Sequence, residues 1–226
     1  MRALRVAFLI AVSSASPLPL RVLAAQDVTA RLTGRVPADV VTAVQGIAQD
    51  ATARGLPVEP LIQKTLEGSA KGVPPDRVIV AVRTLAERLD EARTALRDAG
   101  ISAPSSAAVE GGADALNAGL NARQVRDLGR ISRGPYDPAL TLRIATTLSA
   151  LGVPAQQGLR LMEHMIQSRR GPSELLDLPN QVQVDMAQGA SAAQAAEALE
   201  TGEGAHGPHG EQDHPGQEAQ QGHDNE

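Results

Sequence analysis

Five times the chain places a glycine before an aliphatic residue and then Pro, Ser or Asn: Gly55-Leu56-Pro57, Gly72-Val73-Pro74, Gly100-Ile101-Ser102, Gly119-Leu120-Asn121 and Gly152-Val153-Pro154. Each position has a physical role at a joint between helices. Glycine takes the left-handed backbone conformation just past a helix end, and the aliphatic side chain folds back on the last turn. Pro, Ser or Asn then opens the next helix, as a first-turn residue or an N-cap. Five such joints predict a string of short antiparallel helices. Their separations of 17, 28, 19 and 33 residues are irregular and do not support a solenoid of fixed period.

The stretches between the joints carry helical periodicity. Val78, Val82, Leu85, Leu89, Ala92 and Leu96 recur every three or four residues, predicting a long helix over 75–99. Arg83, Glu87, Arg88, Asp90, Glu91 and Arg93 are assigned to its outer face. The apolar seam serves packing inside the protein's own bundle or, at this length, dimerisation.

A first helix is expected after Val36-Pro37, with Val40, Val41, Val44 and Ile47 inward. Another follows Asp137-Pro138, with Leu140, Ile144, Leu148 and Leu151 buried. Pro179 divides SELLDLPNQVQVDMAQG into two short helices, and Ser191 caps a last one. No segment alternates as a strand would. The fold class is therefore all-α: an irregular array of short antiparallel helices, a bundle or a short superhelix.

The two ends differ from this body. Residues 1–25 have the layout of a secretory signal peptide: Arg2 and Arg5, an apolar run from Val6 to Val12, then small residues near Ala24 and Ala25. The apolar run falls far short of the roughly 20 residues a spanning helix needs, so the mature chain is expected to have no membrane span. Residues 26–200 are expected to form one helical domain, and residues 201–226 a disordered, acidic, histidine-containing tail.

The full chain has a formal charge of −5, and residues 1–25 contain three arginines and no acid, so the mature chain carries −8. Six of those charges come from Glu203, Glu211, Asp213, Glu218, Asp224 and Glu226. Such a balance argues against a nucleic-acid partner, as does a mature chain whose only aromatic is Tyr136. With no cysteine, disulfides, thiol nucleophiles and thiolate metal sites are excluded.

Candidate sites are few. His206, His209, His214 and His223 in the tail, interspersed with carboxylates, suit Zn, Ni or Cu. Tyr136 stands in a Pro-bounded loop behind Arg130 and Arg133, as a contact for a protein partner or, in its alternative role, lying across a helix end. Lys64 and Lys71, the only lysines, flank a joint with Glu67, Asp76 and Arg77, as a partner or anion site or as ordinary helix-end chemistry. His164 lies away from the face shared by Met162 and Met165, which read as core filler.

These features favour an exported protein, periplasmic or secreted, that binds an unknown protein partner or itself without catalysis and requires no cofactor. The alternatives are metal binding by the tail, or an enzyme with a carboxylate and arginine site between helices.

Overall fold

A computed structural model describes residues 27–202 of the chain. The expected signal peptide and all four tail histidines lie outside the described residues. Among the described residues every regular element is a helix. They are α1 (27–32), α2 (Ala38–Ala53), α3 (Glu59–Ala70), α4 (Pro75–Asp98), α5 (Ser106–Asn117), α6 (Ala122–Ile131), α7 (Pro138–Ala150), α8 (Ala155–Gln167), α9 (Pro172–Ala187) and α10 (Ala192–Thr201). None of them is long and apolar enough to cross a membrane. The fold class is all-α, as the joints require.

All five glycines of the joints have positive φ, from +68° to +99°. Gly55 illustrates the closure: its N–H donates to Thr52 O at 3.0 Å while Leu56 N–H donates to Ala51 O at 2.9 Å. These two bonds satisfy carbonyls that the ending helix leaves free. The same pair of bonds closes the other four joints. It closes two more that lack the full sequence pattern, at Arg169 with φ +56° and at Gly189.

The residue that opens the next helix varies more than expected. Asn121 caps α6 in a reciprocal pair with Gln124, at 3.0 and 2.9 Å. At the Gly100 joint, however, Ser105 rather than Ser102 accepts from the new helix, from Ala108 N–H at 3.2 Å.

The described residues fall into two compact units. The first contains residues 27–94 and Pro104–Ala113, and the second Ala95–Ala103 with the chain from Asp114 on, so the division passes within α4 and α5.

In the first unit, Val40, Val41 and Val44 of α2 are buried and Ile47 only half-buried, while Ala48 and Ala51 complete the buried face. An element the sequence reading did not anticipate, α1, buries Val28 and Leu32. It is tied to α3 by Arg31, whose guanidinium grips Glu59 in a two-pronged ion pair, one arm at 2.7 Å, with Gln63 adding a bond at 2.7 Å. Hydrogen bonds from Arg31 and then Gln63 hold the Glu59 carboxyl down at about 2, from an ordinary value of 4.5.

A depressed folded-state pKa gives stability that is present above the unfolded value and lost as pH falls through the folded one. Glu59→Gln is therefore expected to cost about 0.2–1 kcal/mol near neutrality, because the pair is half exposed to solvent. The difference from wild type should shrink below pH 4.5 and vanish near 2, as read from urea denaturation across that range. A difference independent of pH would refute the assignment.

Helix α4 buries most of its expected seam: Val78, Val82, Leu89, Ala92 and Leu96 are at most 2% exposed, and Leu85 is half-buried. Arg93 departs from the outer face assigned to it, with a side chain only 14% exposed. Its Nη2 donates to Asp90 at 3.0 Å, and Asp90 also holds Arg54 at the end of α2, at 3.3 Å. The guanidinium lies beside the joint: a Cβ on Gly55 would stand 3.6 Å from Arg93 Nη1, an ordinary contact distance. Arg93 turns inward because the α2–α3 joint passes beside it, a neighbour that helical periodicity cannot reveal.

The second unit is layered. Helix α6 packs on α7 and α8, α7 on α8 and α9, and α10 on both α8 and α9. Each helix from α6 to α8 thus meets the next but one, giving one layer of α6, α8 and α10 and another of α7 and α9. The left-handed joint residues from Gly100 on (Gly119, Gly134, Gly152, Arg169, Gly189) follow at spacings of 19, 15, 18, 17 and 20. The array is more regular here than the five sequence joints suggested, because Gly134, Arg169 and Gly189 lie outside their pattern.

Two expectations in this unit change. Helix α9 is continuous through Pro179, where a break was expected. Proline removes one backbone donor and crowds the preceding turn. Leu175, Leu178 and Val182 are nonetheless all fully buried, so packing on α7 and α10 holds both halves on one axis. On α7, Ile144 and Leu148 are buried as expected, but Leu142 at 0% exposure replaces Leu140 and Leu151, which are half-buried. A helix touched by α6, α8 and α9 buries a wider arc than a single stripe.

Candidate functional site

The described helix with the largest net positive charge is α6, whose sequence is ARQVRDLGRI. Its apolar side is buried at Val125, Leu128 and Gly129. Its polar side carries Arg123, Arg126 and Arg130, and all three approach one carboxylate. Arg126 reaches Asp127 at 3.1 Å, Arg130 at 3.6 Å and Arg123 at 3.7 Å. One aspartate shared among three guanidinium groups leaves a ridge with two net positive charges. Arg123 is 81% exposed and Arg130 52%. Arg133, just past the helix, is exposed and extends towards Gly100, where a Cβ would lie 3.6 Å from its Nη2.

Of the three residues grouped as a partner contact, Arg130 and Arg133 are at the surface. Tyr136 is only 8% exposed, and its hydroxyl donates to the backbone carbonyl of Arg170 at 2.5 Å. Asp137 beside it caps α7, accepting from Ala139 N–H at 2.9 Å. Tyr136 is thus tied to the chain that follows α8 and bridges residues 34 apart in sequence. The physical reason is its pairing of a large apolar ring with one polar atom, which suits a partly buried seam with a free carbonyl.

Lys64 and Lys71 are both exposed and both bind Glu67 of α3, Lys64 from within the helix and Lys71 from its C-cap. Lys64 stands at 3.6 Å, and Lys71 makes a closer hydrogen-bonded pair. The Lys71 hydrogen bond, and then the charge of Lys64, hold the Glu67 carboxyl below its ordinary value. The two lysines are thus spent on one acid one turn away, the geometry of helix-surface pairing. Asp76 and Arg77 are exposed in the first turn of α4.

His164 is exposed on the last turn of α8, while Met162 and Met165 of that helix are buried in the core. Among the described residues no three His, Asp or Glu side chains gather as a metal site would require. Asp114 on α5 is the described carboxyl pushed up, by burial, with the charge of Arg143 on α7 opposing. A void of about 10 Å³ lies among α6, α7 and α8, lined by apolar side chains such as Leu128, Leu148 and Val153. That is space for roughly one water and not for a substrate.

The charged ridge of α6 escaped the sequence reading, which stopped at Arg130 and Arg133 because they neighbour the tyrosine. The signal was present: arginines at positions −4, −1 and +3 around a single aspartate, in a chain of net negative charge.

The fold and the ridge define an all-helical protein with a cationic helix face. In comparisons with known proteins, no family model, no curated protein and no solved structure matches the chain.

Proposed function

We propose that this is an exported helical protein of the cell envelope that works by binding a protein partner or a second copy of itself, without catalysing a reaction. The observation that carries the reading is the two-layer packing of α6 to α10. Arrays in which each helix stacks on the next but one present successive helices along a common face, the surface through which stacked-helix proteins make contacts. The arginines on α6 supply a polar, bidentate contribution to such a face. Export rests on the signal-peptide layout of residues 1–25.

Cross-linking in intact cells followed by mass spectrometry tests the reading. Adducts with an envelope protein, or with a second copy, are expected to include peptides from α6 to α10. Recovery of the chain only as an unlinked monomer would overturn it.

A second reading gives the tail a metal-binding role, supported by His206, His209, His214 and His223 among carboxylates. Calorimetric titration with Zn, Ni or Cu should show uptake by residues 26–226 that disappears when 201–226 are removed. Equal uptake by both forms would end this reading.

A further inference from the structure

We propose that the arginine ridge of α6 is the docking site for the acidic C-terminal segment of the same chain, residues 203–226. This goes beyond binding an external partner, because it gives the ridge an occupant that the chain itself carries.

The ridge is unusual in its charge balance. Elsewhere among the described ion pairs one arginine meets one acid, as in Arg88–Glu91, Arg160–Glu200 and Arg170–Glu174, Arg31 meets two acids, Asp27 and Glu59, and two basic groups share an acid at Asp90 and at Glu67. Among the described residues, only at Asp127 do three arginines share a carboxylate. Arg123 also opposes the helix dipole, as the second residue of α6, at the end where partial positive charge favours an acid, whereas Arg130 in the last turn agrees with it. A sequence that breaks a local rule on an exposed surface, with no gain in packing, points to a contact rather than to stability.

The occupant follows from charge and connectivity. Residues 203–226 contain Glu203, Glu211, Asp213, Glu218, Asp224 and Glu226 and no lysine or arginine. Guanidinium groups bind carboxylates through paired, directed hydrogen bonds, so the ridge and the segment match in chemistry as well as sign. The segment leaves from the end of α10, which packs on α8, which packs on α6. Two interhelical steps of 8–10 Å place the ridge roughly 20 Å across the layer. Twenty-four residues can span up to about 80 Å, so reach is no obstacle. Tethering raises the effective concentration of the acids at the ridge far above that of any free peptide. The pairs are exposed and therefore screened by salt. An acidic partner that binds the ridge must first displace the segment.

Paramagnetic relaxation provides the test, and the absence of native cysteine makes it clean. The full mature chain with Gln220→Cys carries a nitroxide, and amide signals of α6 are compared before and after reduction of the label. At low salt the α6 amides are expected to lose roughly half their intensity, and to recover it at about 0.5 M salt, where screening is complete within a few ångströms. The exposed double reversal Arg123→Glu/Arg130→Glu should abolish the effect, with unchanged far-ultraviolet dichroism showing that the fold persists. Unperturbed α6 signals at low salt would overturn the proposal, as would broadening that survives the charge reversal. Broadening seen only when spin-labelled, unenriched chains are mixed with unlabelled, isotope-enriched ones would also overturn it, in favour of a second copy's segment.

Discussion

Tyr136→Ala is expected to destabilise the second unit by about 3–5 kcal/mol, the range for truncating a buried aromatic side chain. The ring is buried, and its hydroxyl is the link from the α6–α7 connection to the backbone at Arg170. Tyr136→Phe keeps the ring and removes only that hydrogen bond, so a smaller loss of about 0.5–1.5 kcal/mol is expected. Urea denaturation followed by far-ultraviolet dichroism reads both. In the wild type, tyrosine fluorescence adds a local probe, because the chain has one tyrosine and no tryptophan. Equal stability of the alanine variant and wild type would show that the ring does not bear on the fold. The pair of variants also bears on any partner contact at this loop: a loss of binding confined to Tyr136→Ala would reflect unfolding rather than a lost recognition group.

Gly129→Val is the second large effect, expected at about 1–3 kcal/mol from overpacking. Even a single Cβ at Gly129 would stand 2.9 Å from the Ala99 side chain and 3.2 Å from Leu96, with Ile101 at 3.7 Å. The missing side chain lets α6 lie against the end of α4 and the joint that follows it. Gly158 on α8 is the control. There a Cβ would meet Val153 and Leu148 at 3.8 to 4.0 Å, ordinary contact distances beside the small apolar void. Gly158→Ala is therefore expected to stabilise the protein by about 0.5–1 kcal/mol through helix propensity. Thermal melting of both variants checks the contrast, and opposite signs are the expected result. A destabilising Gly158→Ala would mean that α8 sits closer to its neighbours than these distances indicate.

Much of the second unit was legible because its information is local. The joint at Gly152 closes through bonds from Gly152 to Ser149 and from Val153 to Leu148, all within one turn and its exit. The Asp137 and Ser191 caps likewise act within three residues. Joints at Arg169 and Gly189 were missed because the first has no glycine and the second has alanine where the five joints have leucine, valine or isoleucine, whereas the bonds depend on backbone conformation. The candidate site was legible only in part. The spacing of Arg123, Arg126 and Arg130 around Asp127 is written in the sequence. That Arg130 and Arg133 remain at the surface while Tyr136 turns inward is not.

By itself, then, the sequence determined the all-α class, the ends of most helices and the apolar faces of α2 and α4. These follow from hydrogen bonds and side-chain periods that span fewer than about eight residues, so no distant neighbour is needed to read them. Only the tertiary structure decided that α9 runs through Pro179, that Arg93 turns inward, that α7 buries Leu142, and that Arg31 and Tyr136 bond to residues 28 and 34 positions away. Each depends on which helices become neighbours, and that choice is made by the packing of whole faces rather than by any one turn.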